Sequence, residues 1–172
     1  MTQNKSEQKN DDRLPQNKKM CFAAAYFQTG DAMSRREIRE HIFKMLFGAE
    51  FFDEAEIDQQ MELYFEQVLD EELESPPAFI SQENREYIKE KAGKVLRLAP
   101  QIDESINQVA KGWKTTRMGK AELTILRLAV YEMKYDEDIP VGVAINEAVE
   151  LAKKFGSEEA PAFVNGILAK LV

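Results

Sequence analysis

The run IPVGVAINEAVELAKKFGSEEAPAFVNGILAKL, from Ile139 to Leu171, leaves little choice of structure: two helices joined by a tight corner. Pro140 suits a first helical turn, where its missing N–H costs nothing. Val141, Ile145, Ala148, Ala152 and Phe155 then recur at helical spacing as one apolar stripe. Asn146, Glu147, Glu150, Lys153 and Lys154 fall on or beside the opposite face. Glu150 and Lys154 stand four apart in the favourable order, and the two lysines complement the helix dipole in the last turn. Gly156 ends this helix and Ser157 is placed to cap the next. Phe163, Ile167 and Leu171 are the inward stripe of a short final helix. Asn165-Gly166 in its middle is locally unfavourable, by about 1 kcal/mol for the glycine. The expectation is close backbone approach there, by a neighbouring helix or by a ligand.

Upstream, the same 3.6-residue period recurs. Ser34 and Glu37 form a capping-box pattern opening a helix to about Phe51. On it Ile38, Ile42, Met45, Leu46 and Ala49 form a core side. Arg36, Phe43 and Phe47 form an adjacent side, with Arg39 at the boundary. Such a side suits either a wide buried face or single-stranded nucleic acid, which needs guanidinium groups for phosphates and rings for stacking. A second helix is expected from Asp53 or Glu54 to about Leu73, and a third from Ser81 to Leu98. Pro100 is expected to separate the third from a fourth, Gln101 to Lys111. Trp113 is expected to cover a seam between two bundles. Lys114, Arg117 and Lys120 surround the start of a fifth helix, Lys120 to Tyr135, either as an anion site or as ordinary surface charge. That helix is apolar on most sides and belongs in the middle of a bundle. Glu122 and Arg127 on it need partners. No strand signal is present. The expected fold is therefore all-α with seven helices: a three-helix subdomain over residues 33–98 packed on a four-helix subdomain over 99–172.

Residues 1–32 are polar and aperiodic, and are expected to form a disordered extension. The apolar segment Cys21 to Phe27 within them is too short to span a membrane and lacks a cleavage context. One cysteine, Cys21, permits no internal disulfide and fits a reducing cytoplasm. One histidine and one cysteine cannot build the usual metal site. There is no phosphate-cradling glycine loop, and His41, expected at the surface, has no nucleophile arrangement around it. No cofactor and no catalytic residues are expected. The net charge of −8 repels nucleic acid, so an RNA site would have to be a local basic patch.

Several of these stretches resemble the NusB family of bacterial transcription antitermination factors. The matching residues are Ile139-Pro140, Val143 through Lys153, Phe155-Gly156 and Phe163 through Leu168. Ala121-Glu122-Leu123, Ile125-Leu126-Arg127 and Tyr131-Glu132 also match. The likeness runs from about Met33 to the C-terminus and is strongest after Met118.

The resemblance implies a protein that pairs with NusE, the S10-type ribosomal protein. The pair would bind the boxA segment of nascent single-stranded RNA, within an RNA polymerase antitermination complex at ribosomal RNA operons. It implies RNA contacts at Arg35, Arg36 and Arg39, at the aromatic positions Phe47 and Phe163, and at Glu159, where relatives carry an acidic residue that modulates RNA affinity. Partner contacts are expected at Glu122 and its surroundings, with Lys153 and Lys154 as further candidates. Arg36 and Arg39 are expected at the surface, where their removal would cost no more than about 1 kcal/mol. The chain departs from the family pattern at Glu37, Phe47, Pro161 and Ala162. The oligomeric state is left open, with a homodimer among the states known in the family. Two other readings remain: a helical protein–protein adaptor without RNA binding, and the RNA-binding part of a cytosine methyltransferase. The second is disfavoured if the protein ends at Val172.

Overall fold

The computed structural model describes residues 33–53, 55–71 and 80–172, the side chains of 67–71 excepted. The expected N-terminal extension, Cys21 and the Ser75-Pro76-Pro77 break lie outside the described residues. Among the described residues the regular structure is all helical. The helices are α1 (Arg35–Ala49), α2 (Ile57–Glu71), α3 (Gln82–Val109), α4 (Lys120–Tyr135), α5 (Val141–Phe155) and α6 (Ala160–Leu168), with one 3-10 turn at Thr115–Arg117.

The start of α1 is the capping box that its sequence encodes. Ser34 Oγ accepts from the Glu37 N–H at 3.2 Å, and Glu37 Oε2 accepts from the Ser34 N–H at 2.7 Å. Two of the helix's free N–H groups are thereby satisfied.

The helix count is six rather than seven because Pro100 lies inside α3 instead of ending it. Proline removes one intrahelical hydrogen bond. Here it sits on the exposed side of the helix. Val95 before it and Ile102 and Ile106 after it are fully buried on the other side. Each contributes about 1.5–3 kcal/mol of burial, enough to carry the helix through. The boundary expected between residues 98 and 99 thus falls within one continuous helix. If the two-bundle partition holds, α3 is common to both.

The middle of the core is α4, as its all-round apolarity requires. Leu123, Ile125, Leu126, Leu128, Ala129 and Val130 are buried on it. It packs against α1, α3, α5 and α6. Arg127 on this helix is paired, bidentate to Asp103 on α3 at 2.7 and 2.8 Å and also to Glu50 just past α1. His41 is less exposed than its helical phase suggests. It is half-buried, its Nδ1 2.6 Å from the Tyr64 hydroxyl, so α1 and α2 share a polar contact there. Burial, followed by the charge of Lys44, lowers its pKa from the ordinary histidine value.

The corner between α5 and α6 turns on Gly156. A Cβ there would stand 2.5 Å from Ala160 Cβ and 2.8 Å from the Ala152 carbonyl oxygen. Its role is space. Gly166 is different: a Cβ would meet nothing within 4 Å, and the residue is exposed. The close helix packing expected at Gly166 is therefore absent, because α6 turns that face outward. Substituting each glycine should give opposite signs in thermal melts. Gly166→Ala is expected to stabilise by about 1 kcal/mol, the helix-propensity difference. Gly156→Ala is expected to destabilise, since backbone as well as side chain must shift.

Candidate functional site

Arg36 and Arg39 of α1 and Lys153 and Lys154 of α5 come together between the two helices. A cleft of about 230 Å³ opens there, lined by Arg36, Arg39, Glu40, Glu147, Glu150, Leu151, Lys153 and Lys154. Four cations face three carboxylates. The corner is therefore close to neutral, and less positive than its arginines alone suggest.

Each cation has a carboxylate. Arg36 on α1 forks onto Glu147 of α5 through Nη2 at 3.0 Å and Nε at 3.3 Å. Lys154 reaches across to Glu40 at 2.6 Å. Lys153 pairs with Glu150 at 2.7 Å, three residues back. The i,i+4 pair expected between Glu150 and Lys154 is thus replaced by an i,i+3 pair and a contact between helices. The hydrogen bond from Arg36, ahead of the Arg39 charge, lowers the Glu147 pKa below the ordinary value of 4.5.

Arg36 and Arg39 differ in kind. The Arg36 side chain is 55% exposed. Arg39 is buried and forms the floor of the cleft. Its Nε donates to both oxygens of Glu132, at 3.0 and 3.1 Å, and its Nη1 reaches Glu147 at 3.4 Å. Glu132, beyond the middle of α4, is 1% exposed. It also takes the buried Lys91 of α3 at 2.9 Å, and Lys91 takes Asp136 at 3.0 Å. Burial opposes the Lys91 charge, but Glu132, Tyr87 and Asp136 outweigh it, and the Lys91 pKa is raised. The expectation that Arg39 lies on the surface fails because its position at the edge of the α1 stripe turns it toward a carboxylate inside the protein. Glu132 and Lys91 were not singled out from the sequence. The available signal was a carboxylate within a helix apolar on nearly every side, which requires a buried cation.

The other candidates do not line this cleft. Arg35 is exposed and makes no side-chain hydrogen bond or ion pair among the described residues. Phe47 is half-buried in a row of rings: it stacks on Phe43 at 5.9 Å, Phe43 stacks on Phe155 at 4.7 Å, and Phe51 meets Phe47 edge-on at 5.3 Å. The ring of that row most open to solvent is Phe51. Phe163 on α6 is half-buried and Glu159 is exposed at the N-cap of the same helix. Pro161, a departure from the family pattern, occupies the first turn of α6, where proline fits. Glu122 is half-buried and accepts the Ser157 N–H at 3.3 Å, so it braces the α5–α6 corner. Among the described residues no group of three or more His, Cys, Asp or Glu is placed to hold a metal ion, and no helix is long and apolar enough to cross a membrane.

The model of the NusB family matches residues 36–172. The transcription antitermination protein NusB of Agathobacter rectalis is 51% identical over 138 residues, 80% of this chain and 98% of that protein. The protein of the same name from Lachnoclostridium phytofermentans is 46% identical over 81% of this chain and 99% of its own length. Among solved structures, T. maritima NusB superposes with a TM-score of 0.65 at 32% identity, covering 81% of this chain and 90% of that one. A crystal structure of the antitermination factors NusB and NusE in complex with double-stranded RNA gives 0.61 at 26% identity, covering 80% and 94%.

Two measurements check the division of labour in the cleft. Arg39→Ala should cost about 3–5 kcal/mol in denaturant unfolding, because it strands buried carboxylate charge. Arg36→Ala should cost far less, since its bond to Glu147 is largely exposed to solvent. Glu147, with its depressed pKa, stabilises the fold above the ordinary carboxylate range, and that stabilisation is lost as pH falls through the lowered value. Glu147→Gln should therefore flatten the fall in melting temperature below about pH 4.5 relative to the parent.

Proposed function

The chain belongs to the NusB family, and from that premise we propose that it is a cytoplasmic transcription antitermination factor working by assembly rather than by bond-making. It would bind boxA single-stranded RNA jointly with NusE, as part of the RNA polymerase complex that reads through terminators in ribosomal RNA operons. The observation behind this reading is the cleft between α1 and α5, with Arg36, Lys153 and Lys154 exposed around it, and with the exposed Arg35, next to Arg36 in sequence, unpaired among the described residues.

The geometry suggests how affinity is regulated. Arg36 is exposed but already engaged by Glu147. A phosphate must displace that carboxylate, so part of what the new bond contributes is offset by the broken one. A chain of net charge −8 whose best cations are so occupied should hold RNA weakly alone. A basic partner supplies the missing counter-charge and a second set of contacts. Arg39 acts here as the support that fixes α1 against α4 and α5, and so aims Arg35 and Arg36. Glu159, exposed at the head of α6, places a negative charge where it would repel phosphate and temper affinity. Phe47 and Phe163 offer partly exposed ring edges for bases. Glu122, Lys153 and Lys154 remain the proposed partner contacts.

The paired carboxylates of the cleft also suit an adaptor that binds protein alone. Filter binding of boxA RNA at two salt concentrations, with and without NusE, separates the two. Retention with NusE, weakening steeply with salt, is expected. NusE bound with no RNA retained at either salt would leave the adaptor. For the antitermination reading, Arg35→Ala with Arg36→Ala should lower the salt slope by about 0.7 for every phosphate that is no longer neutralised. Glu147→Gln should tighten RNA binding by freeing Arg36.

A further inference from the structure

The cleft does not contain the most exposed aromatic surface of the C-terminal half. Trp113, expected to cover a seam, is 58% exposed in the connection between α3 and α4. Its ring meets Phe163 of α6 edge-to-face, centroids 6.0 Å apart at 70°. It is the chain's single tryptophan.

The loop that holds it is braced. Gly112 takes φ +83°, a left-handed conformation that other residues rarely adopt, and is the one glycine among the described residues to do so. The Trp113 N–H then donates to the Ala110 carbonyl at 3.0 Å. Two residues on, buried Thr115 is clamped by Asn107: its N–H donates to Asn107 Oδ1 at 2.8 Å, and Asn107 Nδ2 donates to its hydroxyl at 3.1 Å. A large apolar ring is thus presented to water by a backbone fixed on both sides. Holding it there forgoes the burial energy of a tryptophan, which argues for an occupant.

The charge around the ring identifies the chemistry of that occupant. From Ser105 to Ala121 there is no Asp or Glu, in a chain with 31 of them. The same stretch carries Lys111, Lys114, Arg117 and Lys120. Lys120 pairs with Glu50. Lys111, Lys114 and Arg117 are exposed, with no side-chain hydrogen bond or ion pair among the described residues. This contrasts with the cleft, where Arg36, Arg39, Lys153 and Lys154 all face carboxylates. Unpaired cations flanking a rigid exposed ring, with a second ring edge-on behind it, suit single-stranded nucleic acid: bases stack and phosphates pair.

We propose that Trp113, backed by Phe163 and flanked by Lys111, Lys114 and Arg117, is a second contact for single-stranded RNA, one on which a base stacks. The proposal rests on the chain being an RNA-binding member of its family, and it extends that reading from α1 to the α3–α4 loop. RNA running from the Arg35–Arg36 corner to this loop would be held at two places, with the loop supplying free positive charge that the cleft lacks.

The test uses the full chain with NusE and a boxA oligonucleotide, reading tryptophan emission with the Trp113→Phe variant as blank. RNA should quench Trp113. Trp113→Ala should weaken RNA binding about 5–150-fold, the usual range for one stacked base, while the melting temperature and NusE binding stay as in the parent. Lys111→Gln with Lys114→Gln should lower the salt slope and leave the quench of bound complex in place. RNA bound at parental affinity by Trp113→Ala, with no quench in the parent, overturns this site and leaves the antitermination reading standing. No RNA binding by any form overturns both. An equal quench by a poly-glutamate peptide of matching length would mean the patch receives acidic protein, and also overturns the proposal.

Discussion

Glu132 is the group on which the arrangement of helices depends. A carboxylate 1% exposed in the centre of the core is tolerable only if cations come to it. Two do, Arg39 from α1 and Lys91 from α3, and Arg39 and Lys91 extend the network to Glu147 on α5 and Asp136 at the end of α4. Four helices are thereby held in one register by groups that tolerate little displacement. Close apolar packing contributes to that register too, and the network adds directional bonds between helices. Such a network adds little net stability over a well-packed apolar equivalent, but removing one member is costly because it leaves charge buried without a partner.

The cleft at the surface follows from the same network. Arg39 and Glu147 belong to both: below, they join the core; above, Glu147 turns outward to engage Arg36. The exposed arginine is thus positioned by a carboxylate that the buried one also holds. If this corner receives RNA as proposed, a protein of net charge −8 would do so there without strong indiscriminate affinity. Its cations are largely neutralised at rest and become available only to a ligand that competes for them. The α3–α4 loop differs, since its three exposed cations are free among the described residues.

Much of the fold was legible because periodicity and caps are local signals. The boundaries of α4 and α5, the Ser34–Glu37 cap and the corner at Gly156 all followed from residues a few positions apart. The errors came where distant residues decide. Pro100 reads as a break until the buried residues on both sides of it are counted. His41 reads as exposed until Tyr64 is placed beside it. Gly166 reads as a packing site until α6 is oriented. Of the candidate site, the stretch and its residue types were readable, and the division between Arg36 and Arg39 was not. Their helical phases differ by about 60°, at 100° per residue, and only the partner across the bundle determines which one is sealed in. The exposure of Trp113 was likewise beyond the sequence, because it depends on one left-handed glycine and an asparagine clamp.

On the proposed function, two arginines one turn apart have separate tasks: Arg39 joins helices, as its buried bond to Glu132 shows, and Arg36 is the one to meet RNA. Side-chain Nε–H resonances of the arginines, followed by NMR during addition of boxA RNA and NusE, test that division most directly. Arg36 is predicted to shift as its bond to Glu147 is exchanged for phosphate, while Arg39 keeps its position and its slow hydrogen exchange. A shift at Arg39 with Arg36 unmoved would contradict it.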